Sequence, residues 1–119
     1  MTEQQIIWIS ALSLLLVFIL YRKHKLGRNK VNVKGMLQQG AKVVDVRSAG
    51  EFAGGHYKGA INIPLDALSS RLNTLGDKSK PVIVYCASGM RSGSAKRVLE
   101  SAGFTQVENG VNQGYLESL

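Results

Sequence analysis

VIVYCASGMRS, residues Val82 to Ser92, is the stretch on which the fold turns. Its first four residues are an unbroken apolar run. Unbroken rather than alternating hydrophobicity is the pattern of a strand covered on both faces, as in a parallel sheet. Cys86 stands at the end of that run and opens a turn of small residues around Gly89. From about Ser92 to Ala102, the residues Ala95, Val98, Leu99 and Ala102 recur at i, i+3, i+4 and i+7, and Gly103 is placed to end the helix they predict. A strand, a glycine-bearing turn and a helix N-terminus in succession aim several backbone N–H groups at one spot, an anion cradle backed by the helix dipole. Cys86 sits in that cradle, and Arg91 adds a full positive charge at its rim.

Working outward, the flanking segments alternate short strand-like runs with helical patterns. A short helix is expected over Val33–Gln39 with a turn at Gly40, and Lys42–Val46 reads as a strand. Ala60–Ile63 is a second extended run ended by Pro64. Leu65, Leu68, Leu72 and Leu75 then repeat at helical spacing, so a helix is expected over Leu65–Leu75. A last strand is expected near Thr105–Val107. The alternation predicts an α/β domain, with no internal repeat and no second globular domain.

The N-terminal segment is of another kind. Ile6–Tyr21, IIWISALSLLLVFILY, carries no charge and is apolar around its whole helical circumference, which favours a spanning helix over an interfacial one. At ~1.5 Å per residue it covers roughly 24 Å of a ~30 Å hydrocarbon core, so Arg22 and Lys23 are expected to snorkel or the bilayer to thin. Trp8 and Tyr21 lie near the two ends, where interfacial aromatics are favoured, and a serine hydroxyl can bond the carbonyl one turn back. A cleaved signal peptide is disfavoured, since no Lys or Arg precedes Arg22 and no small-residue cleavage site follows. Arg22, Lys23, Lys25, Arg28 and Lys30 cluster directly after it. The positive-inside rule then predicts a single-pass protein of the inner (cytoplasmic) membrane, with residues 1–30 as anchor and basic juxtamembrane segment and residues 31–119 as a cytoplasmic domain.

The chain's net charge of +7 falls to +3 from Val31 onward, where ten basic residues face seven acidic ones, so a nucleic-acid-binding face is not indicated. A single cysteine among 119 residues excludes an internal disulfide and a thiol-only metal site. It is either inert and buried or reactive, and the turn decides for the second. A thiol of pKa ~8.5 needs a fall of ~1.5 units, about 2 kcal/mol, to be half ionised at neutral pH. A helix terminus supplies only ~0.3–1 kcal/mol, so Arg91 and direct N–H hydrogen bonds are expected to supply the remainder.

A second block lies upstream. In DVRSAGEFAGGHYKGAINIPL, residues Asp45, Arg47, Glu51, Phe52, Gly55, His56, Gly59, Ala60, Asn62, Ile63 and Pro64 follow the pattern D-x-R-x-x-x-E-F/Y-x-x-G-H-x-x-G-A-x-N-I/V-P. With CASGMRS about twenty residues further on, the chain from Val31 resembles a single rhodanese domain. The resemblance implies a rhodanese-like α/β domain with a central parallel sheet flanked by helices, here preceded by one transmembrane helix. It also implies a thiosulfate sulfurtransferase-like enzyme that moves sulfane sulfur through a Cys86 persulfide, with Ala87, Ser88, Gly89, Met90, Arg91 and Ser92 as the substrate-binding loop. The implied donor is a small anion such as thiosulfate. The acceptor is external (cyanide, a thiol or a sulfur-acceptor protein), because no second cysteine exists to resolve the persulfide. No metal or organic cofactor is implied.

Arg47 and Glu51 are spaced to pair with each other, His56 to hydrogen-bond locally, and His24 to face solvent or headgroups. The C-terminal ENGVNQGYLESL, with Asn109 and Tyr115, departs from the Gly-Gly turn and tryptophan of many members, so the edge of the cleft, and with it substrate choice, is expected to differ. Three rival readings follow: a membrane-tethered sulfur relay, a non-catalytic binding module, and a phosphatase or arsenate reductase on the same fold. The last needs an arginine six positions after the cysteine. Here Ser92 is sixth and Arg91 fifth.

Overall fold

The computed structural model describes all residues, Met1–Leu119. The chain divides into two compact units, Met1–Val31 and Asn32–Leu119. Helix α1 runs Glu3–Gln38 without interruption, so the short helix expected at Val33–Gln39 is its last part rather than a separate element. No proline lies between Tyr21 and Val33 to stop it. In the first unit Ser13 Oγ donates to the Ile9 carbonyl at 2.9 Å, the one-turn-back bond that makes a hydroxyl tolerable on an apolar helix. By length and composition this helix suffices to cross a membrane.

The second unit is an α/β domain. Strands β1 (Lys42–Asp45), β2 (Ile61–Asn62), β3 (Val82–Cys86) and β4 (Val107–Asn112) form one sheet in the order β2-β1-β3-β4, every pairing parallel. Helices α2 (Ala49–Ala53), α3 (Leu65–Leu68), α4 (Met90–Ser101) and α5 (Gln113–Glu117) flank it, with a 3₁₀ turn at Leu72–Leu75. β3 is central, and the reason for its unbroken hydrophobicity is visible. Val82, Val84 and Cys86 face one core with Leu68, Leu75, Ala95 and Leu99. Ile83 and Tyr85 face a second core with Val33, Met36, Val43 and Leu116. Burying each large side chain on both faces contributes about 1.5–3 kcal/mol, so the strand is anchored where its last residue must be held still.

β1 ends at Asp45, one residue short of the expected Val46, and four further boundaries differ. The Leu65–Leu75 helix is broken: Ser69 and Ser70 are weak helix formers, Ser70 Oγ donates to the Ala67 carbonyl at 2.9 Å, and Arg71 leaves helical geometry at φ −123°. Leu68 and Leu75 reach the core from the two short pieces instead. The second strand keeps only Ile61 and Asn62. α4 begins at Met90, two residues before Ser92. The last strand begins where it was expected to end, because the Thr105 and Gln106 backbone groups are taken up by loop bonds to Lys78 and Val82. At Gly110 within β4 an added Cβ would lie 2.7 Å from Ile83 Cγ2 and 2.9 Å from Leu116 Cδ2, so only glycine lets this strand approach β3 and α5 so closely.

The first motif block is a structural clasp, arranged differently from the predicted Arg47–Glu51 pair. Arg47 pairs with Asp45, which is fully buried: Nη2 lies 2.6 Å from Oδ2, and the Arg47 amide donates to Oδ1 at 2.9 Å. Arg47 Nη2 also donates to the Gly55 carbonyl at 2.7 Å, and Asn62 Nδ2 donates to the carbonyls of both Asp45 and Arg47. A carboxylate inside the sheet needs such partners, and for Arg47 the buried Asp45, two residues before it, is the acid it reaches in place of Glu51. His56 is engaged locally, as its spacing predicts: its Nδ1 bonds the Phe52 carbonyl at 2.9 Å and its ring stacks on Phe52 at 3.7 Å.

Candidate active site

Cys86 is 2% exposed at the C-terminal end of β3, and its sulfur lies at the N-terminus of α4. The chain makes this junction through Gly89, which has φ 93° and has no side chain to cap the helix. A Cβ there would come within 3.2 Å of Val111 Cγ1, so glycine supplies both the left-handed backbone and the room. The sulfur itself takes the place of a cap. Gly89 N–H donates to Sγ at 3.1 Å and Ser92 N–H, in the first turn of α4, donates at 3.4 Å. Burial pushes the Cys86 thiol up, but the Ser92 hydroxyl and the amides of Ser92, Ser88 and Gly89 outweigh it and leave the thiol below its ordinary value. Donors converging on a thiol in this way favour its ionised form.

Arg91 is engaged elsewhere. Its Nη1 and Nη2 meet Glu51 Oε1 and Oε2 at 2.8 and 3.0 Å, a bidentate pair about 40% exposed on each side. Glu51 is prepared for this by a capping box at the start of α2, in which Ser48 Oγ accepts from the Glu51 amide and the Ser48 amide donates back to Oε1. Hydrogen bonds from Arg91 first, and from Ser48, bring the Glu51 carboxyl down to about 2. The thiol is therefore lowered by amides and a hydroxyl, and the loop's one cation is held by a carboxylate at the cradle's edge.

Ser92 is fully buried. Its hydroxyl lies 3.3 Å from Cys86 Sγ and donates to Asn109 Oδ1 at 2.7 Å. Asn109 Nδ2 donates in turn to the Gly89 carbonyl at 3.0 Å, which ties β4 to the apex of the loop.

A model of the rhodanese-like domain matches residues 30–115. The chain belongs to the rhodanese-like domain family. The thiosulfate sulfurtransferase PspE of Escherichia coli (strain K12) is 45% identical over 67 residues, which are 56% of this chain and 64% of that protein. The uncharacterized protein YqhL of Bacillus subtilis (strain 168) is 45% identical over 69 residues, 58% of this chain and 54% of its own. The matched region thus spans between half and two thirds of these relatives. Among solved structures, a rhodanese with anions from E. coli superposes with a TM-score of 0.60 at 38% identity, covering 63% of this chain and 89% of that one. The human single-domain sulfurtransferase TSTD1 gives 0.62 at 27% identity, covering 72% and 90%.

Within this rhodanese-like domain the loop residues named from sequence do not act alike. Ser88, Gly89 and Ser92 converge on the sulfur. Ala87 is exposed, Met90 projects into solvent at 80% exposure, and Arg91 is drawn aside to Glu51. Two partners were missed. Sequence spacing pairs Glu51 with Arg47, whereas its partner is Arg91, and Asn109 stands out in sequence only as a departure from the family pattern. The signal for Asn109 was its dipeptide: Asn-Gly marks an Asx turn, and Asn109 Oδ1 does accept from Val111 N–H two residues on, at 2.9 Å.

Proposed function

We propose that this chain is a membrane-tethered, single-pass sulfurtransferase that carries sulfane sulfur on Cys86. The observation that carries the reading is the set of N–H and O–H donors converging on Sγ, which favours the thiolate. The thiolate attacks the outer sulfur of a donor such as thiosulfate. A sulfur–sulfur bond forms to Cys86, the donor's own sulfur–sulfur bond breaks, and sulfite leaves with the electron pair. An external acceptor then attacks the terminal sulfur and Cys86 departs as thiolate. Loop amides of Ala87 to Ser92 hold the persulfide, and Arg91 serves the incoming anion at the rim. The lone cysteine makes the acceptor a separate molecule: cyanide, a small thiol or a sulfur-acceptor protein. Residues 1–30 serve as anchor, and the basic cluster from Arg22 to Lys30 favours a cytoplasmic domain on an inner membrane.

Intact mass of the purified protein after thiosulfate treatment tests this. The expected result is a one-sulfur adduct that disappears on adding cyanide, with thiocyanate released. No adduct on a protein whose Cys86 thiol is free and alkylatable overturns it.

A further inference from the structure

The Ser92 hydroxyl has one proton and two neighbours able to take it. Cys86 Sγ lies at 3.3 Å and Asn109 Oδ1 at 2.7 Å. The Asn109 amide cannot turn, because Val111 N–H must meet its oxygen and the Gly89 carbonyl must meet its nitrogen, at 2.9 and 3.0 Å. With the thiol protonated, S–H donates to Ser92 Oγ and the Ser92 proton goes to Asn109. With the thiol ionised, sulfur is acceptor only, and the hydroxyl proton turns to it. Asn109 Oδ1 keeps Val111 N–H, so neither state leaves a buried polar atom bare.

We propose that Asn109 is a positioning residue for sulfur transfer, whose carboxamide holds Ser92 and Gly89 against Cys86 and accepts the Ser92 proton whenever the sulfur carries no charge. The proposal rests on the reading that Cys86 is the sulfur carrier. In a persulfide the inner sulfur is divalent and uncharged, so the proton returns to Asn109. In both half-reactions the charge on Sγ is greatest on the thiolate side, as nucleophile towards the donor and as leaving group towards the acceptor. A hydroxyl that donates only then stabilises the reacting form more than the resting ones. The backbone of β4 is bent to provide this. Val111, at φ 63°, is the one non-glycine residue with positive φ, a conformation that persists only where its surroundings impose it, and the Asn109 side chain is what caps its amide.

The test is the pH dependence of Cys86 alkylation by iodoacetamide, read beside turnover, in Asn109→Ala, Ser92→Ala and the double variant. Arg91, whose charge the sulfur feels, Glu51, which is paired with Arg91, and Arg47, which is paired with Asp45 and lies near enough to repel Arg91, stay unchanged throughout. Each single variant is expected to raise the thiol pKa and to slow sulfur transfer about tenfold at neutral pH, in line with loss of one hydrogen bond to a charged group. The deficit should close at alkaline pH, and the double variant should lose less than the product of the two. If Asn109→Ala folds poorly, Asn109→Ser keeps a short acceptor for Val111 N–H but does not reach Ser92, and is expected to behave the same way. An alkylation profile that coincides with wild type in a folded Asn109 variant, or losses that multiply independently, overturns the proposal. Alkylation needs no sulfur donor, so a wild-type protein without sulfurtransferase activity would count against the proposed function and leave this readout intact.

Discussion

Arg91 and Glu51, forty residues apart in sequence, close a two-pronged ion pair beside the cysteine loop. The pair is largely exposed, and exposed ion pairs hold their partners weakly, so Arg91 can exchange Glu51 for an incoming anion at small cost. Glu51 then competes with the donor for the loop's one cation. Glu51→Gln is expected to lower KM for thiosulfate about two- to fivefold, a modest gain fitting a weak surface pair, and to leave the thiol pKa nearly as it was. Arg91→Ala should raise KM instead, and Arg91→Lys should recover only part, because an ammonium lacks the planar fork. Steady-state kinetics of the three variants at two salt concentrations decide it. An unchanged KM in Arg91→Ala would remove Arg91 from donor binding.

The same pair makes stability depend on pH in the acid range. Glu51 has its folded-state carboxyl lowered from 4.5 to about 2, first by Arg91 and then by Ser48. A depressed carboxylate contributes stability that is fully present above its unfolded value and is lost as pH falls through the folded one. Denaturant midpoints should therefore fall between pH about 4.5 and about 2, and Glu51→Gln should flatten that fall, since glutamine cannot titrate. Identical slopes in the two proteins would show that other carboxylates govern the transition.

Gly89 is held by two constraints at once, its φ of 93° and the 3.2 Å approach that a Cβ would make to Val111 Cγ1. Gly89→Ala is expected to cost about 1–2 kcal/mol from the left-handed backbone alone, more if Val111 cannot give way. It should also move the Gly89 amide off the sulfur and raise the thiol pKa. Thermal unfolding together with alkylation at graded pH measures both, and a variant with wild-type values for each would contradict the geometry.

How far this was legible in the sequence follows from the range of each signal. Val82–Cys86 was readable because a strand covered on both faces carries that fact in its own residues, and the cradle because strand, Gly89 and helix are contiguous. The Leu65–Leu75 break was not, since the leucine spacing survives while Ser69 and Ser70 undo the helix locally. Glu51 was misassigned for a different reason. Arg47 and Arg91 look equally suitable in sequence, and only the burial of Asp45 shows that Arg47 is already committed. The Asn109-Gly110 dipeptide announces the Asx turn to Val111, but nothing local in β4 tells that the same carboxamide also meets Ser92 in α4.

The proposed tether predicts protection from outside. Protease added to intact cells or spheroplasts should spare the domain, and the mature protein should keep the residues before Tyr21. Deleting residues 1–30 should release a soluble domain that retains sulfur transfer. Cleavage of the domain from outside reverses the orientation, and a mature N-terminus beyond Tyr21 turns the anchor into a leader.

The decisive variant is Cys86→Ser. Serine is close in shape, and its oxygen can accept from the same Gly89 and Ser92 amides that reach Sγ at 3.1 and 3.4 Å. The hydroxyl is thus not stranded among apolar neighbours, and the change in stability should stay within about 1 kcal/mol, the scale of one rearranged hydrogen bond. Sulfur transfer should vanish, because an alkoxyl oxygen forms no persulfide and the chain has no other cysteine. A purely structural cysteine predicts the reverse pattern: Cys86 also packs against Val84, Ala95 and other members of its core, so a polar replacement would lower the melting temperature and leave any activity in place. Thermal unfolding and thiosulfate-to-cyanide turnover, measured on wild type and Cys86→Ser side by side, separate the two. Retained turnover in the serine variant would sink the persulfide mechanism, since nothing else in the sequence can carry a sulfane sulfur covalently.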